Sequence, residues 1–384
     1  MQARKGIVFG LSGFVVSMIV LVLVAFPMQT RFGMYGLLIT ELAILAMALG
    51  FAAITKQPFN QIFPFKKPTF RHFGGGLLIY GGAYLLVLSA GLIQMYFFPQ
   101  SSEVNQFLSD FFRSETLFIA LFVVAVMPGI CEEFLYRGFL QSSFGGVKPW
   151  VRVLIIGVMF GIFHFDIYRF TPTMILGLAF SYIMLKTGNL WLPILFHFIN
   201  NAYGILSIFL LSDIDVAADA NLSFEYTIGN ALLFSGIAAI LIYIGWKILN
   251  NKKDKNISLS RRLLVYILSS LITLTGFVML GLSETLSRPP IFETNMTAGI
   301  GSELTDIQSF EVERYGEYRF DFKWENAYGS AEIKDSHSNI VYESGVGENG
   351  LRVTGSLHLE KGTYTIEYIF RPVREDASFK AIIR

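Results

Sequence analysis

Long hydrophobic runs dominate the first three quarters of the chain, and charged residues fall mainly between these runs. A helix needs about 20 apolar residues to cross the hydrocarbon core of a bilayer. We therefore predict a polytopic bundle of eight to nine transmembrane helices, in which the fifth and sixth runs are short and must tilt, re-enter or extend into their flanks. The predicted runs are 6–27, 34–54, 73–98, 116–140, 151–165, 173–185, 190–211, 228–249 and 263–282.

The pattern changes after residue 290, where apolar and polar residues alternate in short runs separated by turn residues. The clearest examples are Tyr318–Trp324 and Tyr364–Phe370. A period of two is typical of half-buried strands. We predict a mainly α fold with a C-terminal antiparallel β-sandwich outside the membrane, beginning at about Thr294. The predicted domains are a membrane scaffold (1–115), a membrane core carrying the candidate site (116–211), two further spans with a basic linker at 247–262 (212–285) and the β-sandwich (291–384).

Composition and charge agree with a membrane protein. Of 384 residues, 53% are hydrophobic and only 15% are charged, which excludes an ordinary soluble protein. Lysine and arginine concentrate in alternate loops, so the positive-inside rule predicts a cytosolic N-terminus and an extracytoplasmic β domain. We expect the protein to lie in the cell membrane. Because these basic residues are divided among loops that flank the bilayer, we expect lipid as their partner and no nucleic acid. The single cysteine, Cys131, excludes an intrachain disulfide and is interpreted as a packing residue.

The fourth run carries three ionisable residues, Glu132, Glu133 and Arg137. Charge at membrane depth is costly and by default marks a functional site. Glu133 and Arg137 are four residues apart on a helix, which suits an ion pair. Glu132 is turned about 100° away and has no partner in its own helix. This arrangement suits a general base, whereas the alternative is a frayed helix end among lipid headgroups.

Two later runs carry polar residues at a similar depth. His164 follows Phe160 by one turn at the far end of the fifth run, so the phenyl ring can pack against the imidazole and shield it. His197 and Asn201 are four residues apart on the seventh run and share a face. A rise of about 1.5 Å per residue brings these groups and Glu132 into one band of the bilayer. In contrast, we expect the scaffold to hold no ionisable group inside the membrane.

Three classes of chemistry use such a cluster. In hydrolysis, Glu132 takes a proton from water that His164 orients, and His197 and Asn201 donate to the developing oxyanion. In metal binding, Glu132, Glu133, His164 and His197 are competent zinc ligands, but no H-E-x-x-H helix is present and Glu133 is expected to pair with arginine, so we expect no obligatory metal. In transport, the acids relay protons, but no internal repeat supports this interpretation.

The three motifs together identify a family. Glu132-Glu133-x-x-x-Arg137, Phe160-x-x-x-His164 and His197-x-x-x-Asn201, in this order on successive hydrophobic runs, resemble the CPBP family of CAAX prenyl proteases and bacteriocin-processing endopeptidases. The resemblance implies an intramembrane glutamic endopeptidase without a cofactor, acting on a membrane-associated protein or peptide. It implies that Glu132 is the base, His164 its water-binding partner, His197 and Asn201 the oxyanion donors, and Glu133 and Arg137 supporting residues.

The β domain is a departure from the family's core. We expect it to bind an extracytoplasmic partner, to recruit substrate or to cap the bundle. Since the family also includes members linked to bacteriocin immunity, the alternative function is a non-catalytic membrane protein. Its polar cluster would hold helices together while the β domain binds an envelope partner.

Overall fold

The structure is a computed structural model in which residues 3–98, 101–210, 223–250, 259–286, 291–298, 303–313, 315–344 and 352–383 are described. The chain divides into two compact units, Met1–Ser283 and Glu284–Arg384. The first unit is helical and the second consists of β-strands. Residues 251–258 of the basic linker predicted at 247–262 lie outside the described residues.

The described helices follow the predicted runs closely. They are α1 Ala3–Val20, α2 Phe26–Thr55, α3 Phe59–Ile62, α4 Phe70–Phe97, α5 Ser101–Arg113, α6 Leu117–Ala120, α7 Met127–Glu133, α8 Gln141–Ser143, α9 Pro149–Ile162, α10 Ile167–Thr187, α11 Trp191–Leu210, α12 Phe224–Leu249 and α13 Leu259–Leu286. Three π-helical stretches, Leu21–Ala25, Leu121–Val126 and Phe134–Leu140, join α1 to α2, α6 to α7 and α7 to α8.

Six of the described helical segments are long and apolar enough to cross a membrane, so this is a multi-pass membrane protein. The segments are Arg4–Thr55, Phe70–Phe97, Leu117–Ser143, Trp191–Leu210, Phe224–Leu249 and Arg262–Leu282. Two of the predicted runs, the fifth and the sixth, lie outside this set. The fifth predicted run forms α9, which has 14 residues, and the sixth extends to the 21 residues of α10 because Asp166 caps it upstream.

The first of these segments contains a sharp reversal at Gly33. This residue has φ 55° and ψ −128°, a backbone conformation that glycine adopts readily and other residues avoid. On either side of it, Gln29 donates a hydrogen bond to Thr40 at 3.3 Å, and the rings of Phe9 and Phe51 lie 6.4 Å apart. The first two predicted runs therefore form a helical hairpin within one continuous helical segment.

The segment Leu117–Ser143 packs against helices on several sides. On one side, Ile44 of α2 shares a buried apolar cluster with Cys131 and Leu135. On another side, Gly129 lets α7 approach the backbone of α11, because a Cβ at this position would lie only 3.3 Å from the amide nitrogen of Phe198. This packing places both acids of α7 inside the bundle.

The second unit contains two four-stranded antiparallel sheets, with strand orders β1-β8-β3-β6 and β2-β7-β4-β5. Buried residues from both sheets form one apolar cluster, in which Trp324 of β3 and Phe370 of β7 are fully buried. The two runs predicted as strands therefore form β3 and β7, with alternate residues buried. The strands are β1 Phe292–Ala298, β2 Leu304–Val312, β3 Gly316–Glu325, β4 Ala327–Lys334, β5 Ile340–Glu343, β6 Arg352–Leu359, β7 Gly362–Pro372 and β8 Ala377–Ile383.

Candidate active site

Glu133 is the anchored acid of the site. The Arg137 guanidinium donates to its Oε1 at 2.8 Å, and both side chains are completely buried. A second guanidinium nitrogen donates to the carbonyl oxygen of Gly177 on α10 at 3.2 Å. The pairing expected from the spacing of four residues is present, and it also ties the acid helix to α10.

His197 of α11 contacts both acids. Its Nδ1 lies 2.8 Å from Oε1 of Glu133, which accepts the hydrogen bond as a carboxylate. Its Nε2 lies 4.0 Å from Oε2 of Glu132, beyond hydrogen-bond distance. Phe180 of α10 stacks on the imidazole at 5.7 Å. The ring is therefore oriented by Glu133 and presents Nε2 to Glu132.

Glu132 differs from its neighbour in having a free oxygen. Its side chain is only 7% exposed, and Oε2 has no hydrogen-bond partner among the described residues. Arg169 of α10 lies close enough to interact with it electrostatically. Two adjacent acids therefore play different structural parts: Glu133 binds an arginine and a histidine, whereas Glu132 keeps an unpaired buried oxygen.

His164 stands just beyond α9. The prediction that it lies inside the fifth helix is wrong, because α9 ends at Ile162 and His164 occupies the following turn. Its Nδ1 lies 2.9 Å from the carbonyl oxygen of Phe160, so Nδ1–H donates and Nε2 stays free. The Phe160 ring lies 5.2 Å from the His164 ring and 5.8 Å from the His197 ring, between the two imidazoles.

Asn201 is held by the backbone of the Leu121–Val126 stretch and by its neighbour Asn200. Its Nδ2 donates to the carbonyl oxygen of Val124 at 2.9 Å, and its Oδ1 accepts from Asn200 at 3.1 Å. One amide hydrogen therefore supports the π-helical stretch before α7. The second remains for a ligand, and its role as an oxyanion donor stays a prediction.

The sequence analysis missed several residues near Glu132. Tyr136 is fully buried with a hydroxyl that lacks a partner among the described residues, and Arg169 lies on α10 beyond the predicted start of that helix. Glu41 of α2 is only 3% exposed and interacts electrostatically with Glu132. The prediction that the first 115 residues hold no ionisable group inside the membrane is therefore wrong. A lone acid within an apolar run was the signal that could have revealed Glu41.

The acids and imidazoles were also considered as metal ligands. Within the described part of the chain, no three side chains of His, Cys, Asp or Glu converge closely enough to hold a metal ion. Glu133 already accepts two hydrogen bonds through one oxygen.

Comparisons with known proteins cover the segment that holds the site. Residues 114–203 match the family described as type II CAAX prenyl endopeptidase Rce1-like. Two Bacillus subtilis (strain 168) proteins are similar. "Uncharacterized protein YyaK" is 27% identical over 227 residues, which cover 56% of this chain and 74% of that protein. "Putative membrane peptidase YdiL" is 28% identical over 120 residues, which cover 30% of this chain and 48% of that protein.

The helical unit is that of a multi-pass membrane protein, and its residues 114–203 are similar to CAAX-protease-like membrane peptidases. The matched segment holds all three motifs on which the resemblance rests. The predicted resemblance to the CPBP family is confirmed by the family match over residues 114–203 and by the two similar Bacillus proteins.

Proposed function

We propose that this protein is an intramembrane endopeptidase that hydrolyses a peptide bond of a membrane-associated protein or peptide with water activated by Glu132. The observation that carries the proposal is the difference between the two acids. Glu133 is held by Arg137 and His197 at 2.8 Å each, whereas Oε2 of Glu132 is buried without a partner among the described residues. A buried acceptor with no structural partner suits a general base.

In the proposed reaction, Glu132 accepts a proton from water as the water oxygen bonds to the carbonyl carbon of the substrate. The carbonyl oxygen then carries the negative charge. When the carbon–nitrogen bond breaks, Glu132 returns the proton to the leaving amine. Atoms and charge balance without any co-reactant other than water.

The histidines and the asparagine would position the reacting groups. His164 holds its ring with Nδ1 on the carbonyl oxygen of Phe160, which leaves Nε2 to bind the water. His197 is fixed by Glu133 through Nδ1, so its Nε2 can donate to the oxyanion when the ring carries a proton on both nitrogens. The second amide hydrogen of Asn201 is the other proposed donor. Removal of one such donor lowers a rate by about 10²–10³-fold in acyl-transfer enzymes.

We propose that no tightly bound metal ion takes part. The support is that Glu133, one of the four candidate ligands, already accepts from a guanidinium and an imidazole. One observation favours the metal-dependent alternative. Glu133 orients His197 through Nδ1, and histidines held in this way by a carboxylate are common metal ligands. Mass-spectrometric metal analysis of purified protein separates the two: stoichiometric zinc that survives dialysis would contradict the metal-free proposal.

We further propose a cytosolic N-terminus, nine crossings and an extracytoplasmic β-sandwich in the cell membrane, from the alternation of basic loops. The protein suits a test because Cys131 is its single cysteine and is fully buried. Exposed positions in two regions provide labelling sites, namely Lys67→Cys before α4 and Ser336→Cys after β4. An impermeant maleimide added to intact cells should label only the second variant, and the reverse pattern would overturn the orientation.

The function itself is tested by comparing membrane proteomes of cells that produce wild type or Glu132→Gln. Glu225→Gln, an acid-to-amide change at the start of α12, is the matched control. New protein termini should appear with wild type and with the control, and should be absent with Glu132→Gln at equal protein levels. Identical termini in all three strains would favour the non-catalytic function, in which the polar cluster only holds helices together.

A further inference from the structure

A buried acid on α2 faces the segment that carries Glu132. Met34 of α2 packs with Ala120 and Val123, whereas Ile44 packs with Cys131. Positions 34, 41 and 44 lie on one face of a helix, because they are separated by seven and three residues. The side chain at position 41 therefore faces Leu117–Ser143 between these two contacts, toward α7.

This acid, Glu41, has no stabilising cation. It is 3% exposed, and its Oε2 has no hydrogen-bond partner among the described residues. The basic residue of α2, Arg31, is exposed and lies on the far side of the reversal at Gly33. The described residues contain no lysine, arginine or histidine that forms an ion pair with Glu41. An unpaired charge in such a place is strongly unfavourable.

The group that does interact with Glu41 is Glu132, and Cys131 lies near both carboxyls. Two neighbouring carboxyl groups in an apolar interior cannot both be ionised at low cost. Among the described residues, the cations Arg137 and Arg169 lie around Glu132 and not around Glu41. The charged and titratable groups that face Glu132 are Glu133, Tyr136, Arg137, His197 and Arg169.

We propose that Glu41 is a further residue of the site, a positioning acid that carries the proton of a Glu41–Glu132 pair and so leaves the charge on Glu132. The inference rests on the proposed function, since it assigns Glu41 a part in preparing the general base. A neutral carboxyl beside an ionised one offers it a hydrogen-bond donor, directly or through one water. Glu132 thus stays ionised inside an apolar bundle.

Glu41→Leu and Glu41→Gln separate this role from simple packing. Leucine suits the apolar face of α2 but removes the donor, whereas glutamine keeps a neutral donor of the same shape. The pH profile of cleavage by Glu41→Leu should have its acid limb displaced upward by about one pH unit, which lowers the rate on that limb about tenfold. Glu41→Gln should restore the wild-type acid limb. An acid limb that coincides with wild type in Glu41→Leu would overturn the proposal.

Infrared spectroscopy of the protein in lipid provides a readout that does not depend on cleavage. The C=O stretch of a protonated buried carboxyl group should be present in wild type and in Glu132→Gln, and should disappear in Glu41→Gln. If the band disappeared in Glu132→Gln instead, the proton would lie on Glu132 and the inference would be contradicted. If Glu132→Gln still cleaves substrate, the proposed function fails, whichever acid carries the band.

Discussion

The helical unit and the β unit place their charges in opposite ways. In the helical unit, Glu133 and Arg137 form an ion pair with both side chains fully buried. In the β unit, the pair of Arg352 with Asp321 has side chains that are 62% and 33% exposed. The described core of the β unit is apolar and is centred on Trp324. The comparison teaches that the β unit is held together by an apolar core, whereas the helical unit buries a charged pair at the candidate site.

The largest effect should come from removing one partner of the buried pair. Arg137→Met leaves the Glu133 carboxylate buried without its guanidinium, which typically costs about 3–5 kcal/mol. Thermal unfolding in detergent, followed by circular dichroism, measures the loss. The double variant Glu133→Gln/Arg137→Met removes the stranded charge and should recover a large part of the stability. If the double variant were as unstable as the single one, the buried charge would not be the cause.

A smaller effect is expected from the apolar core of the β unit. Ile366 of β7 is fully buried, so Ile366→Val should cost about 0.5–1.5 kcal/mol. Urea unfolding followed by tryptophan fluorescence measures this loss of unfolding free energy. All variants carry phenylalanine in place of the other three tryptophans, so that Trp324 reports on the β unit alone. The matched control is Ile307→Val on β2, where the side chain is 61% exposed. Equal losses at the two positions would show that the β unit is not stabilised by this core.

The smallest effect concerns Asp306 at the surface of the β unit. The Tyr368 hydroxyl donates to it at 2.6 Å and the Gln308 amide at 2.8 Å, and these hydrogen bonds lower the pKa of the carboxyl below its ordinary value of 3.8. Burial, together with Asp306, raises the pKa of Tyr368 to about 12, so its hydroxyl remains a donor at neutral pH.

Because the folded-state pKa of Asp306 is depressed, its stabilisation is present above the unfolded-state pKa and disappears as pH falls through the folded-state value. The difference in unfolding free energy between wild type and Asp306→Asn should therefore shrink between about pH 5 and pH 3. Tyr368→Phe, which removes the strongest donor, should weaken this pH dependence. The same pH dependence in wild type and Asp306→Asn would exclude Asp306 as its source.

The local features of the site could be predicted because they depend on spacing within one helix. A separation of four residues was enough to pair Glu133 with Arg137, and a period of two was enough to locate β3 and β7. The relation between helices could not be read in this way. The proposed part of Glu41 depends on the packing of α2 against α7, which the sequence of α2 alone does not show. Similarly, Asn201 donates to Val124, a residue far away in sequence.

Helix ends and reversals also escaped the sequence analysis. Asp166 extends α10 upstream by accepting hydrogen bonds from the first backbone amides of the helix, which brings Arg169 into it. Gly33 reverses the chain inside a continuous apolar stretch, and only its positive φ reveals the turn. Both features depend on backbone geometry that hydrophobic periodicity does not encode.

The central claim is that Glu132 activates water for peptide-bond hydrolysis, and one measurement tests it most directly. Purified wild type, Glu132→Gln and Glu225→Gln are incorporated into liposomes and incubated in oxygen-18 water with the membrane proteins whose termini changed in cells. Mass spectrometry should find one oxygen-18 atom in each new carboxyl terminus made by wild type and by Glu225→Gln, with the rate about 10²–10⁴-fold lower for Glu132→Gln. Labelled termini formed at the wild-type rate by Glu132→Gln would contradict the account.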